Sequence, residues 1–157
     1  MNDPMTILKR DHREVKAMLQ ELAESSPGRA RNATFDKVER ALSLHMQIEE
    51  TLLYPLVRKE EGAKVAEEAD NEHTLARETM ARSKEMLSTP GFGAAISSLL
   101  GGILHHVKEE EKEILPQLKE RLDRTEWAAL GDEIARAKAQ GEKSNGRSRS
   151  TATAGAR

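Results

Sequence analysis

The chain has 157 residues, the length of a single domain. Its 27 acidic and 25 basic residues leave a formal charge of -2, a balance that argues against a nucleic-acid footprint or a polybasic membrane patch. It has no cysteine, which excludes disulfides, iron–sulfur clusters, thiolate zinc sites and cysteine nucleophiles.

The first helix is expected to start behind Asp3-Pro4, an N-cap and first-turn pair, and to run to about Glu24. Pro27-Gly28 breaks the chain, and a second helix runs from about Asn32 to Glu61, interrupted at Pro55. After Gly62 a third spans about Ala63 to Ser88. Beyond Pro90-Gly91-Phe92-Gly93 a fourth spans about Phe92 to Leu122, with Gly101-Gly102 inside it and Pro116 near its end. Thr125 caps a short fifth helix to about Gln140, which packs Trp127, Leu130 and Ile134 across the outside. No β-branched alternating segment is present, so the expected class is all-α. Short connections make the first four helices an up-down-up-down antiparallel bundle, with the fifth as a short C-terminal addition.

Two stretches are divided by composition. Residues 1–140 form the expected bundle domain, with a net charge of -5. Residues 141–157 are rich in Ser, Thr, Gly and Ala, carry a net +3 and lack any large apolar side chain, so a disordered low-complexity tail is expected. No apolar run approaches the roughly 18 residues of a membrane span, and no signal-peptide core precedes the first helix. A cytoplasmic location is the expectation.

The bundle seams carry the chemistry. Leu8, His12, Val15, Leu19 and Leu22 share one stripe of the first helix; Val38, Leu42, His45, Glu49, Leu52 and Leu56 share one of the second. Ala66, Ala69, His73, Ala76 and Met80 follow on the third, and Ile96, Leu99, Ile103, His106, Glu110, Ile114 and Leu118 on the fourth. Each seam holds one histidine near its middle, and the second and fourth add a glutamate four residues later. A buried unpaired carboxylate costs several kcal/mol, and no Lys or Arg lies on those seams. A bound cation neutralises the carboxylates and uses the imidazole lone pairs. Four imidazoles and two carboxylates exceed the needs of one ion. Two ions could take two imidazoles each, with Glu49 and Glu110 bridging at about 3.5–4 Å. Such a donor set suits iron, with manganese or zinc as alternatives.

An internal repeat sets the register. His45 to Pro55 reads HMQIEETLLYP and His106 to Pro116 reads HVKEEEKEILP, which pairs His106 with His45 and Glu110 with Glu49. His105 with Glu109 is the competing pair, but it turns away from the Ile103 and Ile114 seam. Glu50 and Glu111 are candidates for orienting an imidazole from a neighbouring helix, or for simple solvated charges. Tyr54 is a further candidate ligand, a hard phenolate donor beside the second-helix ligands. An ideal helix places it about 140° from Glu49, an objection that Pro55 weakens by disrupting regular α geometry.

This pattern resembles the hemerythrin-like HHE cation-binding family, including its actinobacterial members. The carrying residues are His12 in RDHREV, His45 and Glu49 in HMQIEETLLYP, His73 in NEHTLA, and His106 with Glu110 in HVKEEEKEILP. The resemblance covers about residues 5–120 and implies a four-helix bundle around a non-haem di-iron centre. Oxygen-carrying members have a fifth histidine one turn along the third helix, where this chain has Arg77, and an Asp where it has Glu110. The expectation is therefore a peroxidase-type oxidoreductase that reacts with nitric oxide, peroxide or O2 in oxidative or nitrosative stress defence, with electrons from an external donor. The alternatives are an O2-, nitric oxide- or iron-binding sensor or storage protein without turnover, and a structural zinc site. Partners are expected to be diatomic molecules or peroxide, because aliphatic side chains ring the centre; no nucleic acid and no membrane are expected.

Overall fold

The computed structural model describes the backbone of residues 2–154 and the side chains of residues 2–147. The helices are α1 (Pro4–Ala23), α2 (Arg29–Ile48), α3 (Tyr54–Glu60), α4 (Ala63–Glu85), α5 (Phe92–Glu109), α6 (Leu115–Arg121) and α7 (Arg124–Ala154). Among the described residues there is no strand. Short π-helical segments, Glu49–Leu53 and Glu110–Ile114, join α2 to α3 and α5 to α6 into two long rods. With α1 and α4 these rods make the expected antiparallel bundle.

The breaks fall where backbone chemistry requires them. Asp3 caps α1, accepting from the Thr6 amide at 2.8 Å, and its other oxygen accepts from the Trp127 indole N–H at 2.8 Å. Gly28 (φ 147°) and Gly62 (φ 113°) turn the chain into α2 and α4 in conformations that L side chains rarely adopt. Pro55 and Pro116 explain the π segments. Each lacks an N–H and crowds the carbonyl four residues back, so the preceding residue takes the longer bond instead. The Tyr54 amide donates to the Glu49 carbonyl and the Leu115 amide to the Glu110 carbonyl, each five residues back.

Two apolar clusters fill the bundle. One gathers Leu8, Leu53, Tyr54, Leu115, Trp127 and Ile134; the other gathers Val15, Leu19, Phe35, Phe92, Ile96 and Leu99. Between them lies a buried layer of histidines and glutamates.

The C-terminal part differs from expectation. The fifth helix of the sequence reading is α7, 31 residues long, and it continues through residues 141–154 in place of the expected disordered tail. Residues 155–157 lie outside the described residues. Within that extension Gly141 passes so close to α2 that a Cβ there would come within 2.2 Å of Leu44 Cδ1, a fit that composition does not reveal. Trp127, Leu130 and Ile134 are buried as expected.

Candidate metal centre

The four seam histidines, both seam glutamates and Tyr54 meet in one buried layer. His45 Nε2 lies 2.8 Å from Glu49 Oε1, and His12 Nε2 lies 3.6 Å from Glu49 Oε1 and 3.1 Å from Glu110 Oε2. These four donors form one group. The other oxygen of Glu49 turns to a second group: His73 Nε2 at 3.1 Å and His106 Nε2 at 3.9 Å. Glu49, 0% exposed, therefore faces two donor groups at once.

The π segment brings Tyr54 in. One extra residue per turn cancels the angular offset of an ideal helix, so the phenol reaches the layer. Its oxygen stands 3.0 Å from His73 Nε2, 3.1 Å from His106 Nε2, and 3.3 Å from both Glu49 Oε2 and Glu110 Oε1. One O–H can donate to only one of these four neighbours.

The outward nitrogens of all four imidazoles face carboxylates. His12 Nδ1 meets Glu111 at 2.8 Å, His45 Nδ1 meets Asp11 at 3.4 Å, His73 Nδ1 meets Glu50 at 3.1 Å and His106 Nδ1 meets Glu72 at 3.2 Å. A carboxylate acceptor holds the proton on Nδ1, which leaves each Nε2 pointing inward as the donor atom. Each outer acid also adjoins an inner residue in sequence: Asp11 with His12, Glu50 with Glu49, Glu72 with His73, Glu111 with Glu110. Each serves the next helix round, so the outer acids form a closed ring through all four rods.

Of these acids, Glu50 and Glu111 take the orienting role that the sequence left open. Asp11 and Glu72 were missed, although each stands immediately before a seam histidine. Lys138 of α7 was missed too; it pairs with the second oxygen of Asp11. Arg77 points away from the layer and grips Glu50 with both guanidinium nitrogens at 2.6 and 2.7 Å. His105, with its side chain 65% exposed, lies outside the layer, 3.1 Å from Glu109 and 3.6 Å from Glu72.

Electrostatics test whether these residues fit a cation. Burial pushes the His12 imidazole down, but Glu110 and Glu49 outweigh it and push it up to about 11. Burial is likewise outweighed at His45, chiefly by Glu49, which pushes it up to about 9; Glu49 and Glu72 push His106 up to about 10. Burial raises Glu49, yet His45, His106 and His12 hold it well below the usual carboxylate range. The layer demands positive charge. Nevertheless His12 Nε2, Glu49 Oε1 and Glu110 Oε2 are buried without a hydrogen-bond partner, although they approach one another closely. His73 Nε2 and His106 Nε2 face each other at 3.1 Å, each with its Nδ1 already engaged. Electron-rich atoms that converge without hydrogen-bond direction are what a shared cation requires. The residues fit metal.

The layer is not sealed. A cavity of about 470 Å³ opens onto His12, His45, His73 and His106, with walls that include Leu42, Leu99 and Ile103. Its apolar walls belong to the Val15–Leu99 cluster, whereas Tyr54 comes from the cluster on the opposite side of the layer.

An all-α bundle with a buried mixed imidazole and carboxylate layer defines a helical cation-binding domain. Residues 3–118 match the hemerythrin HHE cation binding domain, and the chain belongs to that family. A crystal structure of an HHE cation binding domain-containing protein from Mycobacterium kansasii superposes with a TM-score of 0.81 at 25% identity, covering 92% of this chain and 90% of that one. A DNA nickase from Nostoc sp. is 26% identical over 137 residues, 85% of this chain. The chain spans only 39% of that relative's length. Among the described residues, no helix is long and apolar enough to cross a membrane.

Proposed function

We propose that this HHE domain holds a non-haem di-iron centre that reacts with small oxidants, namely peroxide, nitric oxide or O2, in oxidative or nitrosative stress defence. The observation that carries the reading is the split of Glu49: one carboxylate presents its two oxygens to two separate imidazole pairs. That is the arrangement of a bridge between two ions. His12 and His45 would hold one ion, His73, His106 and Tyr54 the other, with Glu110 as the second bridging carboxylate. Imidazole, carboxylate and phenol oxygen together favour iron over softer alternatives, and manganese or zinc would compete.

When bound, two irons supply redox equivalents and Lewis acidity. The chain's own residues do the rest. The outer acids keep Nδ1 protonated and each imidazole aimed inward. The aliphatic clusters above and below limit the approach of water to the cavity side. Tyr54 closes one side of the layer, so an incoming molecule reaches the centre from the cavity side. The cytoplasm, with an external electron donor, is the setting this reading assigns.

Metal analysis combined with an optical spectrum of protein purified in air is the test. Two irons per chain with near-ultraviolet bands of an oxo-bridged diferric pair are expected, followed by steady turnover of peroxide or nitric oxide. A colourless protein with stoichiometric zinc overturns the reading. Two irons with ligand binding but no turnover would assign the sensor role instead.

A further inference from the structure

The glycine pair in the middle of α5 has no conformational purpose. Neither Gly101 nor Gly102 has a positive φ, and an added Cβ at either would meet nothing within 4 Å. Glycine is the poorest helix former after proline, so the backbone favours alanine at these positions and packing does not oppose it. Gly102 lines the cavity that opens onto the four seam histidines, one helical turn beyond Ser98, which lines it too. Across the cavity, α4 contributes Ala76 and, at 57% exposure, Leu75, the most exposed large hydrophobic side chain among the described residues. At the inner end stands His12, buried apart from 5% of its surface, whose Nε2 turns to Glu110 within the layer.

We propose that this cavity is a binding chamber for an organic hydroperoxide, kept open by Gly102, with the apolar body of the ligand between α4 and α5 and its peroxide head toward the histidine layer. The inference rests on the peroxide reading above and replaces the expectation that only diatomic molecules or peroxide reach the centre, because a cavity of about 470 Å³ opens onto it. Two observations favour an organic peroxide over hydrogen peroxide. A volume of about 470 Å³ is that of a pocket for a molecule of many heavy atoms. Its walls, Leu42, Met46, Leu99 and Ile103 among them, gain nothing from a small polar molecule, whereas burying an apolar body there is favourable. Arg82, Thr79, Ser98 and the His105–Glu72 pair also border the cavity, but the four inward-facing imidazoles stand together at its inner end, toward which the head group is directed.

The test is calorimetric binding of cumyl alcohol, the redox-silent alcohol of an aryl hydroperoxide, to the full chain as purified, with metal content measured on the same samples. Saturable binding of one molecule per chain is expected. Gly102→Leu should weaken it by about tenfold, the effect of losing about 60 Å² of apolar contact. Leucine is a good helix former and meets no neighbour at its Cβ, so the variant should keep its helix content. Ser98→Phe, one turn away on the same wall, should act in the same direction and serves if Gly102→Leu does not fold. No saturable binding to the parent chain, or equal affinity in both plugged variants, overturns the chamber. If that happens with two irons per chain, the di-iron reading stands; if the chain holds no iron, that reading falls whatever the cavity binds.

Discussion

The two eleven-residue repeats, His45–Pro55 and His106–Pro116, solve the same backbone problem and then diverge. Both place a histidine and a glutamate four apart on the core seam, both slip into a π segment ahead of proline, and both send the following glutamate to a neighbouring imidazole. The divergence lies at the residue before proline. Tyr54 puts a phenol among two imidazoles and two carboxylates, while Leu115 joins the aliphatic cluster beneath. The comparison teaches that the π turn supplies an inward position and the side chain decides whether it is chemistry or packing.

The largest test of this comparison concerns the seam glutamates. Glu49 faces both donor groups, whereas Glu110 approaches His12 closely and stands 3.9 Å from His106. Glu49→Ala should abolish metal binding, and Glu110→Ala should leave one ion per chain. Equal losses in metal analysis would show that the repeats are interchangeable after all.

At the diverging position two variants should separate chemistry from packing. Leu115→Ala should destabilise the fold by about 2–5 kcal/mol with metal content unchanged, since it removes fully buried aliphatic volume. Tyr54→Phe should keep the metal and cost about 1 kcal/mol, a typical hydrogen bond. It should also remove a phenolate-to-iron absorption. In the absence of a cation, burial and then Glu49 and Glu110 push the Tyr54 phenol well above its ordinary value, so any phenolate signal reports bound metal. A ferric spectrum identical in Tyr54→Phe would deny the phenol its place as a ligand.

The outer acids offer a finer comparison. Glu50 and Glu111 are equivalent in the repeats, but only Glu50 is gripped by an arginine. Glu50→Gln and Glu111→Gln should each lower metal affinity by about 10–100-fold, the usual effect of losing an orienting carboxylate. Competition with a chelator measures both; an unchanged affinity in either would reduce that acid to a surface charge.

Much of this was legible in the chain, and the remainder has physical reasons for being hidden. Alternating steps of three and four put His12, His45, His73 and His106 on core seams, and no pairing partner on those seams could satisfy Glu49 and Glu110. The family and the bundle followed. Tyr54 was ambiguous because the offset of an ideal helix and the effect of Pro55 oppose each other, and only the realised five-residue bond decides between them. Asp11 and Lys138 escaped notice because they pair across 127 positions, between two helices whose relative placement the seam pattern does not fix. The cavity was invisible for a different reason: it is made by side chains that are absent, Gly102 foremost.

The smallest predicted effect compares the ends of the two rods. Glu61, just past α3, has one oxygen buried without a partner, and Arg121 closes α6 beside it, donating to the Glu60 carbonyl. Burial pushes the Glu61 carboxyl up to about 7, against the opposing pull of Arg121. A carboxyl raised on folding binds its proton more tightly in the native state than in the unfolded one. Between its unfolded value, near 4.5, and about 7 the native state therefore holds more protons, and stability falls as pH rises through that window. Below it the group is neutral in both states and adds no slope. Glu61→Gln should flatten the decline of the urea midpoint between those limits and leave the protein more stable at pH 7 than the parent. The equivalent end of the second rod, Leu122, carries no titratable group, so a decline that persists unchanged in Glu61→Gln would deny Glu61 its part in the pH dependence.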